Sequence, residues 1–260
     1  WIGGRQAKGL RENGIVIPNK KFEATLDISL DDLRRDKTGQ ILVRVDELAD
    51  RANSFKGKLL TDLILTGESA VCYDDQYFFD TDHSEGDSGA QSNDITVDIS
   101  TMPTSVHGVA AAPSAGEAGY MIAKGIEKIL GFKDDRGEPL NEEAAEFLVQ
   151  MPTPYLSAVS MALSGKPLEG GDTSVVGAMD GMRVTARANP RLTWTDKLAV
   201  FRTDGRVKPF ILQEEQPISV DAVAEGSELE FNSDKHHYGV KWQGNVGFGM
   251  WQHACLVQAI

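Results

Sequence analysis

The chain has 260 residues, 41% hydrophobic and 25% charged, a composition typical of a folded soluble protein with a sizeable core. Its 26 basic and 39 acidic side chains give a formal net charge of −13, which argues against a protein that reads nucleic-acid sequence or adheres to an anionic membrane. Apolar runs are only a few residues long, so we expect no membrane-spanning segment.

The distribution of charge along the chain and the number of cysteines further limit the class of protein. Residues 1–70 carry 12 basic and 11 acidic groups, whereas residues 71–260 carry 14 and 28, so a mildly basic front end precedes an acidic body. The two cysteines, Cys72 and Cys255, are too few for a disulfide framework or a four-cysteine zinc site. We expect both to be reduced, in an intracellular folding environment.

The first 38 residues predict an arm followed by a β-hairpin. Residues 1–13 show no hydrophobic period and are interpreted as an arm or loop. A short apolar run at 14–18 precedes a run at 22–30 in which apolar and polar residues alternate, the pattern of a strand with one polar face. We expect the two runs to pair as a hairpin within 14–38.

A long amphipathic helix is predicted over 41–66. Apolar residues recur there at steps of three and four, and Gly67 is suited to end the helix. At 1.5 Å per residue the helix would be about 39 Å long. The stripe consists of Ile41, Val45, Leu48, Ala52, Phe55, Leu59 and Leu63.

The middle of the chain predicts a second helix and a strand–helix unit. Ser114 and Glu117 fit a capping box before a helix over 115–130. A buried strand at 147–151 is followed by a helix that starts near Pro154 and stops at Gly165. The connecting segments are predicted as a strand pair with a loop at 71–83, and as loops at 84–108 and 166–180.

The last third of the chain predicts mostly strands, which makes the whole an α+β protein. The predicted strands cover about 181–187, 197–203, 208–213, 217–224, 228–232, 237–243 and 246–257.

Two motifs invite a chemical interpretation. Asp80, Asp82 and His83 could ligate a metal, but the EF-hand pattern fails because Glu85 and Gln91 stand where glycine and glutamate are needed, so an Asx-type turn is favoured. The glycine-rich segment 244–249 alternates apolar residues like a strand and does not open a helix, which disfavours a dinucleotide loop. The lack of a convincing active site favours a structural or interaction protein.

Several segments resemble, in order and spacing, the Mu-like phage major head subunit (gpT) family. The resemblance covers nearly the whole chain and is loosest at 84–110 and 165–180. It is carried by 1–5 (WIGGR), 19–26 (NKKFEATL), 77–83 (YFFDTDH), 194–201, 207–213 (VKPFILQ), 238–240 and 245–252 (NVGFGMWQ).

The resemblance implies the tailed-phage major capsid fold of the HK-ninety-seven type. The implied organisation is an N-terminal arm at 1–13, an E-loop hairpin at 14–38, a P-domain at 39–134 that includes the spine helix, an A-domain at 135–204, and a return to the P-domain sheet at 205–260.

The resemblance also implies a major capsid protein that forms hexamers and pentamers and closes an icosahedral shell around double-stranded DNA. It implies no catalytic residue, metal or cofactor. Implied partners are further copies of the chain, a portal, a scaffold or protease, a decoration protein and packaged DNA held non-specifically, with no membrane. The implied location is the virion capsid, with assembly in the host cytoplasm.

The arm and E-loop are expected to lie on neighbouring subunits and to contribute to assembly, and no covalent cross-link through their lysines is expected. Two alternatives stay open: an encapsulin-like compartment that houses cargo enzymes, and a metal-dependent hydrolase that uses Asp80, Asp82 and His83. The predicted assembly residues are Arg5, Lys20, Lys21, Phe22, Leu26 and Ile28. The family motif is Phe78, Phe79, Asp80, Thr81, Asp82 and His83.

Overall fold

Two β-sheets organise the described part of the chain, which in this computed structural model comprises residues 14–36, 39–164 and 174–260. The predicted arm at 1–13 and the predicted helix stop at Gly165 lie outside these residues. The strands are β1 (Lys20–Ser29), β2 (Asp94–Val97), β3 (Glu146–Met151), β4 (Arg183–Ala188), β5 (Lys197–Arg202), β6 (Phe210–Val223), β7 (Lys235–Phe248) and β8 (Ala254–Ala259). The helices are α1 (Leu30–Arg35), α2 (Gln40–Leu65), α3 (Ala115–Leu130), α4 (Leu156–Leu163) and α5 (Glu228–Ser233).

The smaller sheet has the order β1-β7-β6 and is antiparallel throughout. β1 pairs along its whole length with β7, from Lys20 opposite Gly244 to Ser29 opposite Lys235. The predicted hairpin within 14–38 is therefore wrong, because residues 14–19 form no strand and α1 follows β1 directly. The alternating pattern specifies a strand with one apolar face, but it does not specify which strand lies beside it.

The predicted long helix is confirmed as α2. The carboxylate of Asp36 accepts hydrogen bonds from the backbone N–H groups of Gln40 and Ile41, at 3.3 and 2.9 Å, and so satisfies two donors at the helix start. The predicted stripe is half-buried along its length. Among the side chains of α2 that the structure describes, the fully buried ones are Thr61 and Ile64, which lie near the end of the helix and outside the stripe.

The main core lies between the five-stranded sheet, of order β2-β8-β5-β3-β4, and the helices α3 and α4. The predicted capping box is confirmed: Ser114 Oγ accepts from the Glu117 N–H at 3.2 Å, and Glu117 Oε2 accepts from the Ser114 N–H at 2.7 Å. The predicted strand at 147–151 and the helix after it are confirmed as β3 and α4.

Five local predictions differ from the structure. The strands expected at 237–243 and 246–257 are a continuous β7, which ends at Phe248, and β8, with a 3-10 turn at Trp251–His253 between them. The loop expected at 84–108 contains β2, whose partner β8 is too far along the chain to be seen locally. The strand expected at 228–232 is α5, which begins where Ser227 Oγ accepts from the Glu230 N–H. The two strands expected over 208–224 are one strand, β6, with register shifts between residues 214 and 219. The strand pair expected at 71–83 reduces to a single bridge between Val71 and Tyr77.

Each sheet takes its strands from more than one of the predicted segments. The five-stranded sheet draws β2 from 39–134, three strands from 135–204, and β8 from 205–260. The smaller sheet combines 20–29 with 210–248. Among the described residues, no helix is both long and apolar enough to cross a membrane.

Candidate assembly surface

An aromatic cluster joins α2 to the three-stranded sheet. Phe22 of β1 packs against Phe55 of α2 at 4.8 Å between ring centroids and stacks on Trp242 of β7 at 5.4 Å. Phe55 and Trp242 meet edge to face at 6.3 Å. These residues share a location because Phe22 lies directly opposite Trp242 in the strand register, so both side chains point to the face that α2 covers.

Polar contacts also connect α2 to the three-stranded sheet at this position. The Trp242 indole N–H donates to Glu214 Oε2 at 2.8 Å, and Lys56 of α2 forms an ion pair with the same oxygen. The Lys56 ammonium also lies 5.4 Å from the Trp242 ring centroid, within cation–π range. The hydrogen bond from Lys56, followed by that from Trp242, lowers the pKa of the Glu214 carboxyl. The helix is thereby tied to both β6 and β7.

Beside this cluster an apolar groove of about 540 Å³ opens between α2 and β1. Its floor and walls are apolar, while its rim is charged. The lining residues are Phe22, Ala24, Leu48, Ala52, Phe55, Val240 and Trp242, and the rim residues are Lys21, Glu23 and Arg51. We call this feature the α2 groove.

The structure separates the predicted assembly residues into three groups. Lys20 and Lys21 are exposed on β1, and Phe22 and Leu26 are half-buried beneath α2. Ile28 is only 7% exposed, so the chain buries this side chain itself without a neighbour. Arg5 lies outside the described residues.

The opposite face of the three-stranded sheet is polar and carries both signs of charge. Lys21 pairs with Glu23 at 2.7 Å, and His237 lies 3.3 Å from Asp27. Lys241 forms an ion pair with Asp221, and that hydrogen bond raises the pKa of the lysine. Exposed ion pairs contribute little stability, so this face is suited to solvent or to polar contacts.

The family motif is divided between core and surface, with Phe78, Phe79 and His83 buried and Thr81 and Asp82 exposed. Phe78 and Phe79 are buried, and Phe78 stacks on Phe248 at 4.5 Å. The Asp80 carboxylate bonds the backbone on both sides of it: Oδ1 accepts from the Thr81 N–H at 2.7 Å and Oδ2 from the Tyr77 N–H at 3.2 Å, rather than from the N–H two residues on as in an Asx turn. The motif therefore anchors the segment that follows α2 to the aromatic end of β7.

The predicted metal ligands are not brought together. Asp82 is exposed, whereas His83 is fully buried and places Nδ1 2.7 Å from Asp74 Oδ2. The imidazole stacks on Trp251 at 3.9 Å between ring centroids. The His83 Nε2 and Trp251 Nε1 atoms have no hydrogen-bond partner among the described residues.

Within the described residues, the close group of metal-ligating types is Cys72, Asp74 and His83, whose ligand atoms lie within 4.8 Å of one another. Cys72 Sγ donates to Asp74 Oδ1 at 2.9 Å. Burial opposes ionisation of Asp74, but hydrogen bonds from His83 and Cys72 outweigh it and lower the pKa of this carboxyl. Burial, with Asp74 next, raises the pKa of the Cys72 thiol.

These contacts form a largely buried hydrogen-bonded network in which the Asp74 carboxylate bonds both Cys72 and His83. The thiol is a poor nucleophile because burial and the adjacent carboxylate disfavour its thiolate. Asp74 and Trp251 were not predicted from the sequence, because only folding brings them to His83. The indication available in the sequence was that Asp74 lies just before the motif at 77–83.

Comparison with known proteins identifies a family and individual relatives of this chain. The family model described as "Mu-like prophage major head subunit gpT" matches residues 1–103 and 176–260, and so extends further into 84–110 than expected and leaves 104–175 outside the match.

Two curated relatives are 35% identical to parts of the chain. The Mu-like prophage FluMu major head subunit of Haemophilus influenzae aligns over 86 residues, which is 33% of this chain and 28% of the relative. The major capsid protein of Escherichia phage Mu aligns over 83 residues, 32% of this chain and 27% of the relative. The aligned part thus spans little more than a quarter of either relative.

Among solved structures, the mature capsid of bacteriophage PhiM1 matches with a TM-score of 0.53 and 12% identity over the whole of this chain and 78% of the matched chain. At this identity the likeness establishes the fold alone. The expected tailed-phage capsid fold is therefore confirmed.

Proposed function

Because this chain belongs to the Mu-like prophage major head subunit gpT family, we propose that it forms the shell of a phage head. Copies would assemble as hexamers and pentamers into an icosahedral capsid around double-stranded DNA. The observation that carries the proposal is the family match to residues 1–103 and 176–260. The capsid fold of the chain agrees with it.

The distribution of apolar surface supports a role in assembly. The main core is complete within the chain, whereas the α2 groove and the half-buried side chains of β1 remain open. A shell needs only modest affinity at each contact, since every subunit makes many contacts and their free energies combine.

The net charge of −13 suits a container for DNA, because a wall of like charge does not hold the packaged polymer. The proposed partners are other copies of the chain, a portal, a scaffold or protease, a decoration protein and DNA held non-specifically. The proposed location is the virion capsid, after assembly in the host cytoplasm.

The proposal assigns the chain no catalytic step. The network of Cys72, Asp74 and His83 supports a structural role for the motif, because Asp74 accepts from the thiol and bonds His83 Nδ1 while the imidazole stacks on Trp251. The family match favours a phage head subunit over an encapsulin-like compartment and over a metal-dependent hydrolase.

Particle size tests the proposal directly. The whole protein is expressed alone and together with its phage head partners, and the products are sized by light scattering and negative-stain microscopy. We expect capsomers or closed shells many times larger than a subunit. A monomer or dimer under every condition, with the partners present, would refute the proposed function.

A further inference from the structure

One aromatic side chain is exposed without a local reason. Phe231 lies on α5, which joins β6 to β7, and its side chain is 89% exposed. The segment is held in place, since Ser227 caps α5 and the backbone N–H of Leu30 donates to the Asp234 carbonyl at 2.8 Å. A single exposed side chain does not by itself mark an interaction site, but an aromatic ring held on an ordered segment can bind strongly where a partner offers a matching apolar pocket.

The surroundings of Phe231 are acidic. Residues 224–234 contain four acidic and no basic side chains. Glu230 is engaged within the segment, where it accepts from the Gly226 N–H at 2.7 Å, but Glu225 and Glu228 are exposed. We call residues 224–234 the hairpin tip. Its chemistry suits an apolar recess with a basic rim.

The α2 groove offers such a recess. Its walls include Phe55, Leu48 and Ala52, and Arg51 lies at its rim. The other basic residue of the rim, Lys21, is already paired with Glu23. In the part of the chain that the structure describes, the Arg51 guanidinium has no ion-pair partner, so it is available to a carboxylate from outside.

The hairpin tip does not occupy the groove of its own chain. Val240, in the groove wall, lies five residues along β7 from Lys235, a distance of about 17 Å in an extended strand. Phe231 lies on the far side of Lys235 and remains exposed. A single chain therefore presents both halves of a contact at separate places.

We propose that the hairpin tip of one copy docks into the α2 groove of a second copy, with Phe231 in the apolar recess and Glu228 facing Arg51. This inference rests on the proposed function. The contact is heterologous, because a copy gives its tip to one neighbour and its groove to another, and such contacts close into rings when the rotation permits. It thereby supplies a lateral contact for a capsomer or for a junction between capsomers.

Cross-linking in mixed particles tests the geometry. Whole protein carrying F231C and whole protein carrying A52C are co-assembled with an excess of unaltered protein, so that the unaltered copies sustain the particle. A short bismaleimide is then added, and dimers are measured on a denaturing gel. We expect at least about tenfold more dimer than from a matched mixture of F231C and V109C, since Val109 is 64% exposed and lies outside the groove lining.

Removal of the aromatic ring gives an independent test. F231S is expected to reduce the yield of particles at least about tenfold, because the contact loses its buried ring at every repeat. V109S, which removes a comparably exposed apolar side chain elsewhere, is expected to leave the yield unchanged.

The outcomes separate the two proposals. Particles that form normally but show no dimer above the V109C mixture, or that form equally well with F231S, would overturn the docking contact and leave the proposed function standing. If the unaltered protein forms no particles with its phage partners, the proposed function fails and the contact fails with it.

Discussion

Gly119 and Gly125 lie on the same helix, α3, and an alanine at each is expected to change stability in opposite directions. A Cβ at Gly125 would lie 2.7 Å from Val200 Cγ2 and 3.2 Å from Val257 Cγ2, and both of these valines of the five-stranded sheet are fully buried. A Cβ at Gly119 would meet its nearest neighbour, Ala162 Cβ, at 3.5 Å, which is ordinary contact.

The magnitudes follow from two opposing effects. Replacing glycine by alanine within a helix stabilises the folded chain by about 0.8–1.0 kcal/mol. Overpacking a well-filled core costs about 1–3 kcal/mol. Gly119→Ala should therefore stabilise by about 1 kcal/mol, while Gly125→Ala should destabilise by about 1 kcal/mol. Because the propensity gain is common to both variants, their difference isolates the overpacking.

Urea unfolding followed by circular dichroism measures this difference. With a slope of about 3 kcal/mol/M, a separation of about 2 kcal/mol places the two midpoints about 0.7 M apart, with the unaltered chain between them. If Gly125→Ala raised the midpoint as much as Gly119→Ala, the close approach of α3 to β5 and β8 would be refuted.

Three further outcomes are expected. Ser114→Ala removes the cap of α3 and should lower the free energy of unfolding by about 1 kcal/mol in urea titrations. The pKa of Asp74 is lowered in the folded state, so the stabilisation from this carboxylate is present above its unfolded pKa near 4 and is lost as the pH falls through the folded value. Asp74→Asn should therefore reduce the fall of the unfolding midpoint with decreasing pH, whereas Asp82→Asn, at an exposed position, should leave that fall unchanged. Burial raises the pKa of both thiols, so Cys72 and Cys255 should react slowly with a disulfide reagent at pH 8 and rapidly in urea; fast reaction in the folded chain would contradict their placement.

Elements set by local interactions were predictable from the sequence. The stripe from Ile41 to Leu63 specified α2, because helical neighbours three and four residues apart share a face. Ser114 and Glu117 specified the start of α3, since both halves of the capping box lie within four residues. In each case the residues that determine the structure are adjacent in the chain.

Elements set by distant partners were not predictable. β1 was identified as a strand, yet its partner β7 lies more than 200 residues away, and the nearer run at 14–18 was the wrong choice. The motif at 77–83 was found, but the partners that decide the role of His83 are Asp74 and Trp251. The type of residue suggested a metal ligand, whereas burial and stacking identify a core histidine.

The main core is complete within one chain, whereas the three-stranded sheet keeps an open apolar groove, and this difference explains how a shell subunit can be stable before it assembles. The buried cluster around α3 and the five-stranded sheet needs no neighbour, so the chain can fold first. The three-stranded sheet keeps its apolar surface in a groove beneath α2, where a charged rim limits unspecific association. Copies that carry a net charge of −13 repel one another, so contacts between them must combine apolar burial with locally opposed charges. An acidic tip that carries one exposed phenylalanine, and a groove bordered by Arg51, which forms no ion pair with any residue that the structure describes, provide that combination at two separate places on the same chain.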